Sequence, residues 1–423
     1  MYLKKIIIEN FKGHCHCEVE FKKGFNLLIG DNGVGKTSIL EAASVALGGY
    51  IAGIDDVPSK HFTIDEIRIS SMPMGEGSYH KQYETPVLVS CIADVGGKEY
   101  QWTRQKSSVK ASRSTVNPRT ICRIANKIAG NPEGILPILS YQSAARTWMQ
   151  RRESSENIFN TEFNRTVGYI NCLSEASDSK ALLNWCAKME QVEWQQEKKI
   201  AEYEAVKNAL SCFMATMNEG QIPQIRFDKR NSELSYVEHG VALPVRCLSA
   251  GYQSIIWMVL DIAYRMAVLN PNLLEETITT PGIVLIDELD MHLHPKWQWK
   301  VIEALQSTFP NVQFIAATHS PILIASCKEG KLIHVNQDII SYGTTDYGME
   351  VNDVLTYTQG SSEMVENVKN QLNQFYQALD ERKIAEAEKM LLNLEQILGT
   401  GHSELLKAQT ALNFENAILE EQL

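Results

Sequence analysis

The sequence predicts an α/β fold around an open sheet, and three apolar runs of strand length predict it. They are Gly24-Phe-Asn-Leu-Leu-Ile29, Gly282-Ile-Val-Leu-Ile286 and Val312-Gln-Phe-Ile-Ala-Ala317, each ending at a turn or at polar residues. Runs of this length bounded by such signals read as buried strands. The chain has 423 residues, 44% of them apolar and 22% charged, which is ample material for a core and carries no mark of wholesale disorder.

Taken in order, Lys4 to Glu9 is a short apolar strand, Cys15 to Phe21 alternates in period two, and a helix follows from about Lys36 to Leu47. Val87 to Val95 and Glu99 to Arg104 flank Gly96-Gly97, a hairpin signal that suggests an antiparallel lobe beside the main sheet. From residue 98 to residue 127, Lys98, Arg104, Lys106, Lys110, Arg113, Arg119, Arg123 and Lys127 are opposed by Glu99 alone. This stretch is either a solvated loop or a surface that meets the phosphates of a nucleic acid. Leu182, Trp185, Met189, Val192, Ile200, Tyr203, Leu210 and Phe213 recur at helical spacing and predict one long helix from Ala181 to about Met217, a short inserted arm. Its apolar stripe is read as intramolecular core ahead of a partner interface. In the tail, Met364, Val368, Leu372, Phe375 and Leu379, then Ile384, Leu391, Leu394 and Leu398, predict a helical hairpin, with a third helix from Ser403 to Glu421.

The chemistry lies in three motifs. Gly30-Asp-Asn-Gly33-Val-Gly35-Lys36-Thr37-Ser38 satisfies the P-loop pattern G-x-x-x-x-G-K-[ST] between a strand and a helix. Asn32, Gly33, Gly35, Lys36, Thr37 and Ser38 are therefore the phosphate-binding candidates: amides wrap the phosphates, Lys36 neutralises them, and the Thr37 hydroxyl ligates Mg2+. The run from Gly282 to Ile286 ends in Asp287-Glu288. Asp287 is placed to hold Mg2+, and Glu288 to polarise a water for attack on the γ-phosphate. After Ala317 comes Thr318-His319-Ser320-Pro321, which sets His319 at the carboxyl edge of the sheet as a γ-phosphate sensor.

Leu248-Ser249-Ala250-Gly251-Tyr252-Gln253 precedes an apolar helix from Ile255 to Leu269. With the motifs above, it resembles the signature L-S-G-G-Q of the ATP-binding-cassette (ABC) ATPases, departing from it at Ala250 and Tyr252. The resemblance implies that Ser249 and Gly251 press on an ATP held by a second copy, so that two sites form in a head-to-tail homodimer or a higher homo-oligomer. It also implies that Gln142, in Ile138-Leu-Ser-Tyr-Gln142, is the Q-loop residue touching Mg2+ or the attacking water, with Arg146 a further phosphate contact. Ile286-Asp-Glu-Leu-Asp-Met-His-Leu-His-Pro295 and Ala317-Thr-His-Ser-Pro321 resemble the RecF, SMC and OLD branch, in which His292 and His294 would lie in the D-loop.

On this resemblance the chain divides into residues 1–145 and 226–350 as two halves of an ABC ATPase head, 146–225 as an inserted helical arm, and 360–423 as an oligomerisation or partner-docking region. The tail and arm are similar to the ATPase subunit of the Septu anti-phage system (PtuA-type), which implies a separately encoded HNH nuclease as partner and nucleic acid through or beside it. A RecF- or Rad50-like DNA-binding ATPase of DNA repair is the other reading. A transporter motor does not fit the residues that follow Glu288, and Asn336-Gln-Asp338 lacks the lysine of a guanine-specifying motif, so ATP is the expected nucleotide.

Composition sets outer limits. With 40 Lys plus Arg against 51 Asp plus Glu, the net charge of −11 argues against a chain that coats nucleic acid along its whole surface. No apolar run approaches the roughly 20 residues of a membrane helix, and no signal-peptide core follows Met1, so a cytoplasmic protein without membrane attachment is expected. Nine cysteines without a C-x-x-C pair read as reduced thiols. Strand alternation sends His14, Cys15, His16 and Cys17 to opposite faces, against a shared metal.

Overall fold

The computed structural model describes the chain except for residues 75–77, 148–163, 176–178, 229–230, 232, 239, 344, 400 and 422–423. Strands β1 (Tyr2–Phe11), β2 (His14–Glu20) and β3 (Phe25–Ile29) lead into helix α1 (Lys36–Ile51). Next come β4 (Ile69–Met74), β5 (Ser78–Tyr83), β6 (Val87–Val95), β7 (Lys98–Lys106), β8 (Thr115–Asn117), α2 (Thr120–Ala129) and β9 (Ile138–Gln142). Helices α3 (Ser179–Gln196) and α4 (Ala201–Met217) precede β10 (Gln224–Asp228), β11 (Glu233–Glu238) and β12 (Val241–Pro244). The rest of the first unit is α5 (Ala250–Leu269), β13 (Gly282–Ile286), α6 (Pro295–Gln298), α7 (Val301–Thr308), β14 (Val312–Ala317), α8 (Pro321–Ser326) and the hairpin β15 (Lys331–Asn336) to β16 (Ile339–Gly343).

The main sheet runs β16-β15-β3-β14-β13-β9, with β16 antiparallel to its neighbour and the rest parallel. Every residue of β3, β9, β13 and β14 is buried, which is why these strands read as unbroken apolar runs. In register, Ile286 pairs with Ala316 on one side and Gln142 on the other, while Ala317 pairs with Leu28. The loops after β3, β9, β13 and β14 therefore emerge side by side at one edge, where open α/β sheets gather ligands.

A second, antiparallel sheet, β2-β1-β6-β7-β8, forms the lobe. Strand β6 alternates buried and half-buried residues, and Gly96 and Gly97 (φ 62° and 81°) make the two-residue turn to β7. The lobe is tied to α1 by Trp102, whose indole N–H donates to the Ala46 carbonyl at 2.8 Å. Gly49 makes room for that ring, since a Cβ there would lie 2.6 Å from the indole nitrogen.

Two expectations change here. The basic stretch loses Arg104 and Lys106: both are buried on the Trp102 face of β7, where they donate to the carbonyls of Lys60 and Phe62. Lys98, Lys110, Arg113, Arg119, Arg123 and Lys127 stay exposed. The single helix expected from Ala181 to Met217 is two helices, interrupted at residues 197–200, where Glu197 takes φ 50° and the Ile200 amide donates to Glu193 instead of to a carbonyl. Trp185 of α3 then packs edge-on against both Tyr203 of α4 and Tyr264 of α5, at 5.5 and 5.3 Å between ring centres. Part of the expected arm, residues 148–163 and 176–178, lies outside the described residues, as does the side chain of Arg146.

The chain divides into two compact units, Met1–Met349 and Glu350–Leu423. The second holds α9 (Val351–Asp353), α10 (Glu366–Asp380), α11 (Ile384–Leu398) and α12 (Ser403–Glu421). Its own core joins Leu372, Phe375, Leu379, Leu391, Leu394, Leu405 and Leu412 from the three long helices. Among the described residues no helix is long and apolar enough to cross a membrane.

Candidate nucleotide site

The P-loop turns on its glycines. Gly30, Gly33 and Gly35 have φ of 143°, 80° and 106°, a region that side chains rarely enter, and the loop hands over to α1 at Gly35. Lys36 folds back over the loop, donating from Nζ to the carbonyls of Gly30 at 2.9 Å and Asp31 at 2.8 Å. Burial pulls its pKa down, against the opposing pull of Glu288, Asp287, Asp31 and Asp290.

Asp287 and Thr37 meet although 250 residues separate them: the Thr37 hydroxyl lies 3.1 Å from both carboxylate oxygens. A hydroxyl beside a carboxylate is the hard-oxygen donor set that suits Mg2+, and these two residues are the ones that would hold it. Bound there, the ion would neutralise phosphate charge.

Glu288 adopts φ 47°, which turns its side chain out of the strand direction, and its Oε1 stands 3.8 Å from His319 Nε2. Burial, then the charge of Lys36, lowers the His319 pKa, so the imidazole is neutral near pH 7 and this contact is not an ion pair there. An acceptor carboxylate and a neutral imidazole at the sheet edge can order a water and report the γ-phosphate, respectively. Two bonds lock β13 to β14 beyond their ends: the Leu289 amide to the Ala317 carbonyl at 3.0 Å, and the Thr318 hydroxyl to Asp290 at 2.5 Å. Asp290 was not singled out from the sequence; its place two residues after Glu288 was the available signal.

Gln142 ends β9 beside Asp287. Its backbone carbonyl accepts the Asp287 amide at 2.8 Å, but its side-chain nitrogen donates to Asp261 of α5 at 2.8 Å and to Ser140 at 2.9 Å. Asp261 is held in turn by Arg265, whose guanidinium also binds the carbonyls of Gly168 and Ile170. The Gln142 carboxamide thus belongs to a buried polar network under α5, not to the group around Thr37.

The signature segment splits in two. Ser249 and Ala250 are exposed at the start of α5, and the Ser249 hydroxyl makes no capping bond. Gly251 is buried, and a Cβ on it would stand 2.4 Å from the carbonyl oxygen of His292. Its smallness serves packing against the loop after β13 of the same chain. Tyr252, at the departure from the signature, packs its ring 4.3 Å from that of Trp297. His292 is exposed with φ 63°, and His294 caps α6 by accepting the Lys296 amide.

Residues 5–215 match the family described as AAA domain, and residues 130–324 match the AAA ATPase domain. The fold is that of a solved SMC head bound to the C-terminal winged-helix domain of ScpA, with a TM-score of 0.50 at 16% identity over 81% of this chain and 98% of that one. The chain is an ATPase with the fold of an SMC head.

Two relatives of this ATPase extend well beyond the motifs. The Septu protein PtuA of Bacillus thuringiensis is 23% identical over 446 aligned residues, covering 97% of this chain and 98% of that protein. The Retron Vc95 probable ATPase of Vibrio cholerae serotype O1 biovar El Tor is 23% identical over 407, covering 80% and 75%.

Proposed function

We propose that this ATPase is the nucleotide-driven subunit of a cytoplasmic anti-phage defence complex, forming a head-to-tail dimer around two ATP molecules and regulating a separately encoded nuclease of the HNH class. The observation that carries the reading is the similarity to PtuA, which runs through the second unit as well as the ATPase head. The exposed, uncapped Ser249 supports the dimer, since a hydroxyl and open amides at the start of α5 offer a partner's phosphate what a helix N-terminus supplies. In each half-site, Lys36 and the P-loop amides hold the phosphates, Thr37 and Asp287 bind Mg2+, Glu288 activates water and His319 reads the γ-phosphate. Residues 360–423 serve assembly or docking.

Ser249→Arg tests the dimer: ATP binding should persist while hydrolysis stops, and a variant that turns over normally sinks the arrangement. Native purification with and without ATP tests the partner. A copurifying small nuclease, lost on truncation at 350, is the expected result; a chain that comes down alone in both conditions refutes it.

One observation favours a second reading, a DNA-binding ATPase of repair. Arg123 and Lys127 on α2, and Arg119 at its N-cap, recur every four residues and are exposed, with Lys110 and Arg113 in the preceding loop. Duplex affinity of the chain alone, with a steep salt slope lost on neutralising these five, would support that reading.

A further inference from the structure

His14 is 1% exposed at the start of β2, although the alternation of that strand puts Cys17 and Val19 on its inner face and His14 out of phase with them. Both ring nitrogens face oxygen acceptors. Nδ1 lies 3.1 Å from Oδ1 of Asp338, and Nε2 lies 3.3 Å from the carbonyl oxygen of Gly35. The other Asp338 oxygen accepts the Cys15 amide at 3.1 Å, which holds the carboxylate in place. Asp338 belongs to the turn between β15 and β16, and the same hairpin braces the opposite end of the P-loop. A Cβ on Gly30 would stand 2.3 Å from the Val335 carbonyl oxygen, and one on Gly35 would stand 2.3 Å from His14 Nε2. Both glycines are therefore in close contact with this support.

Gly35 is the hinge between loop and helix. Its carbonyl also accepts the Ile39 amide at 3.0 Å, the first bond of α1. That carbonyl and the Lys36 N–H form one planar peptide unit, so whatever anchors the oxygen sets the direction of the N–H. The Lys36 amide opens the helix N-terminus on which phosphate binding depends.

We propose that His14, held by Asp338, is a positioning residue of the nucleotide site: seated between Asp338 and the Gly35 carbonyl, it fixes the Gly35 to Lys36 peptide and keeps the loop's amides aimed at the phosphates. This rests on the ATPase reading of the pocket. It acts on binding and not on hydrolysis, because the bonds of His14 and Asp338 reach Gly35 and the Cys15 amide, whereas Glu288 and His319 stand on the loops after β13 and β14.

The test measures Mg-ATP affinity and single-turnover hydrolysis of the full chain with a fluorescent ATP analogue and radiolabelled ATP. His14→Leu keeps comparable bulk and removes both ring nitrogens; it should weaken binding about ten-fold, the effect of losing one buried hydrogen bond. The rate constant at saturating nucleotide should stay within about two-fold of wild type, the pattern of lost ground-state binding. Asp338→Ala, at a partly exposed position, should weaken binding about three-fold, and the double variant should bind no worse than His14→Leu, because Asp338 acts through the ring. Wild-type affinity in His14→Leu overturns the proposal, as do additive losses in the double variant or a fall in rate constant at unchanged affinity. If His14→Leu does not fold, Asp338→Ala decides alone, and unchanged affinity there overturns it. Lys36→Ala in the same assay separates the two levels: a Lys36→Ala chain that still binds ATP refutes the pocket itself, whatever His14 does.

Discussion

Gly251→Ala should separate nucleotide binding from hydrolysis, and the structure sets its size. The added methyl carbon would stand 2.4 Å from the His292 carbonyl oxygen, about an ångström inside ordinary contact. That oxygen is backbone in a short loop pinned by two turns, Met291 N–H to Glu288 O at 3.1 Å and Leu293 N–H to Asp290 O at 3.0 Å. The loop can make room only by shifting the residues that carry Glu288 and Asp290, or by moving the start of α5. Overpacking of this kind costs about 1–3 kcal/mol. In a unit of this size each kcal/mol lowers Tm by roughly 2 °C, so a fall of about 2–6 °C is expected in differential scanning fluorimetry. ATP affinity should hold, since the P-loop is untouched, while phosphate release falls by at least about ten-fold, as displacement of the water-activating carboxylate demands. Ala250→Gly is the control: Ala250 is exposed, and restoring the usual signature glycine should leave turnover unchanged. A Gly251→Ala chain with wild-type Tm and wild-type turnover would refute the reasoning, because it would mean that the loop after β13 yields without consequence.

Glu288→Gln keeps the shape of the side chain and removes the base; ATP should still bind in an equilibrium titration while kcat drops by roughly 10²–10⁴-fold, and an unchanged kcat contradicts the role given to Glu288. Thiol reactivity should follow burial. Burial pushes Cys17, Cys172 and Cys186 up to about 12 and Cys327 up to about 11, so these should resist a thiol reagent at pH 8 in the native chain, whereas Cys15, Cys212 and Cys247 are exposed and should react within minutes. Mass mapping of labelled peptides checks it, and rapid labelling of Cys172 would show that the Gln142 network opens readily.

The main sheet and the ends of its strands were legible because burial on both faces removes polar residues, and the change from apolar run to Gly30, Asp287 or Thr318 marks each carboxyl edge. The burial of Arg104 and Lys106 was legible too: Trp102, Arg104 and Lys106 share one face of β7 by parity, a signal that charge counting along residues 98–127 passes over. So was the break between α3 and α4, since Gln195-Gln-Glu-Lys-Lys199 offers five polar residues in a row where an apolar stripe would need one. Gln142 was a different problem. Its motif gives a position in the chain, but the orientation of its carboxamide depends on Asp261, 119 residues away, which no local pattern pairs with it. His14 was hidden by the same alternation that served elsewhere, because period two groups it with the exposed His16 and Glu18, and only the tertiary approach of Gly35 and Asp338 turns it inward.

The charges assembled at the pocket carry an argument about the metal. Lys36 faces four carboxylates, Asp31, Asp287, Glu288 and Asp290, each of which raises its pKa against burial. His319, held neutral by burial and by Lys36, adds no positive charge near pH 7. A triphosphate brings several more negative charges into partly buried surroundings, where like charges a few ångströms apart repel far more strongly than in water. The Lys36 ammonium cannot offset both the carboxylates and the phosphates, and its two present bonds are to neutral carbonyls that add no positive charge. A divalent cation between Thr37, Asp287 and the phosphates removes the conflict at the point where it is worst. ATP affinity should therefore fall by at least about ten-fold when Mg2+ is replaced by EDTA, and Asp287→Asn, by deleting one of the repelling charges, should weaken binding far less in EDTA than in Mg2+. Equal ATP affinity for the wild-type chain in both buffers would show that the carboxylates are neutralised by other means, and the assignment of Thr37 and Asp287 as the metal pair would fall with it.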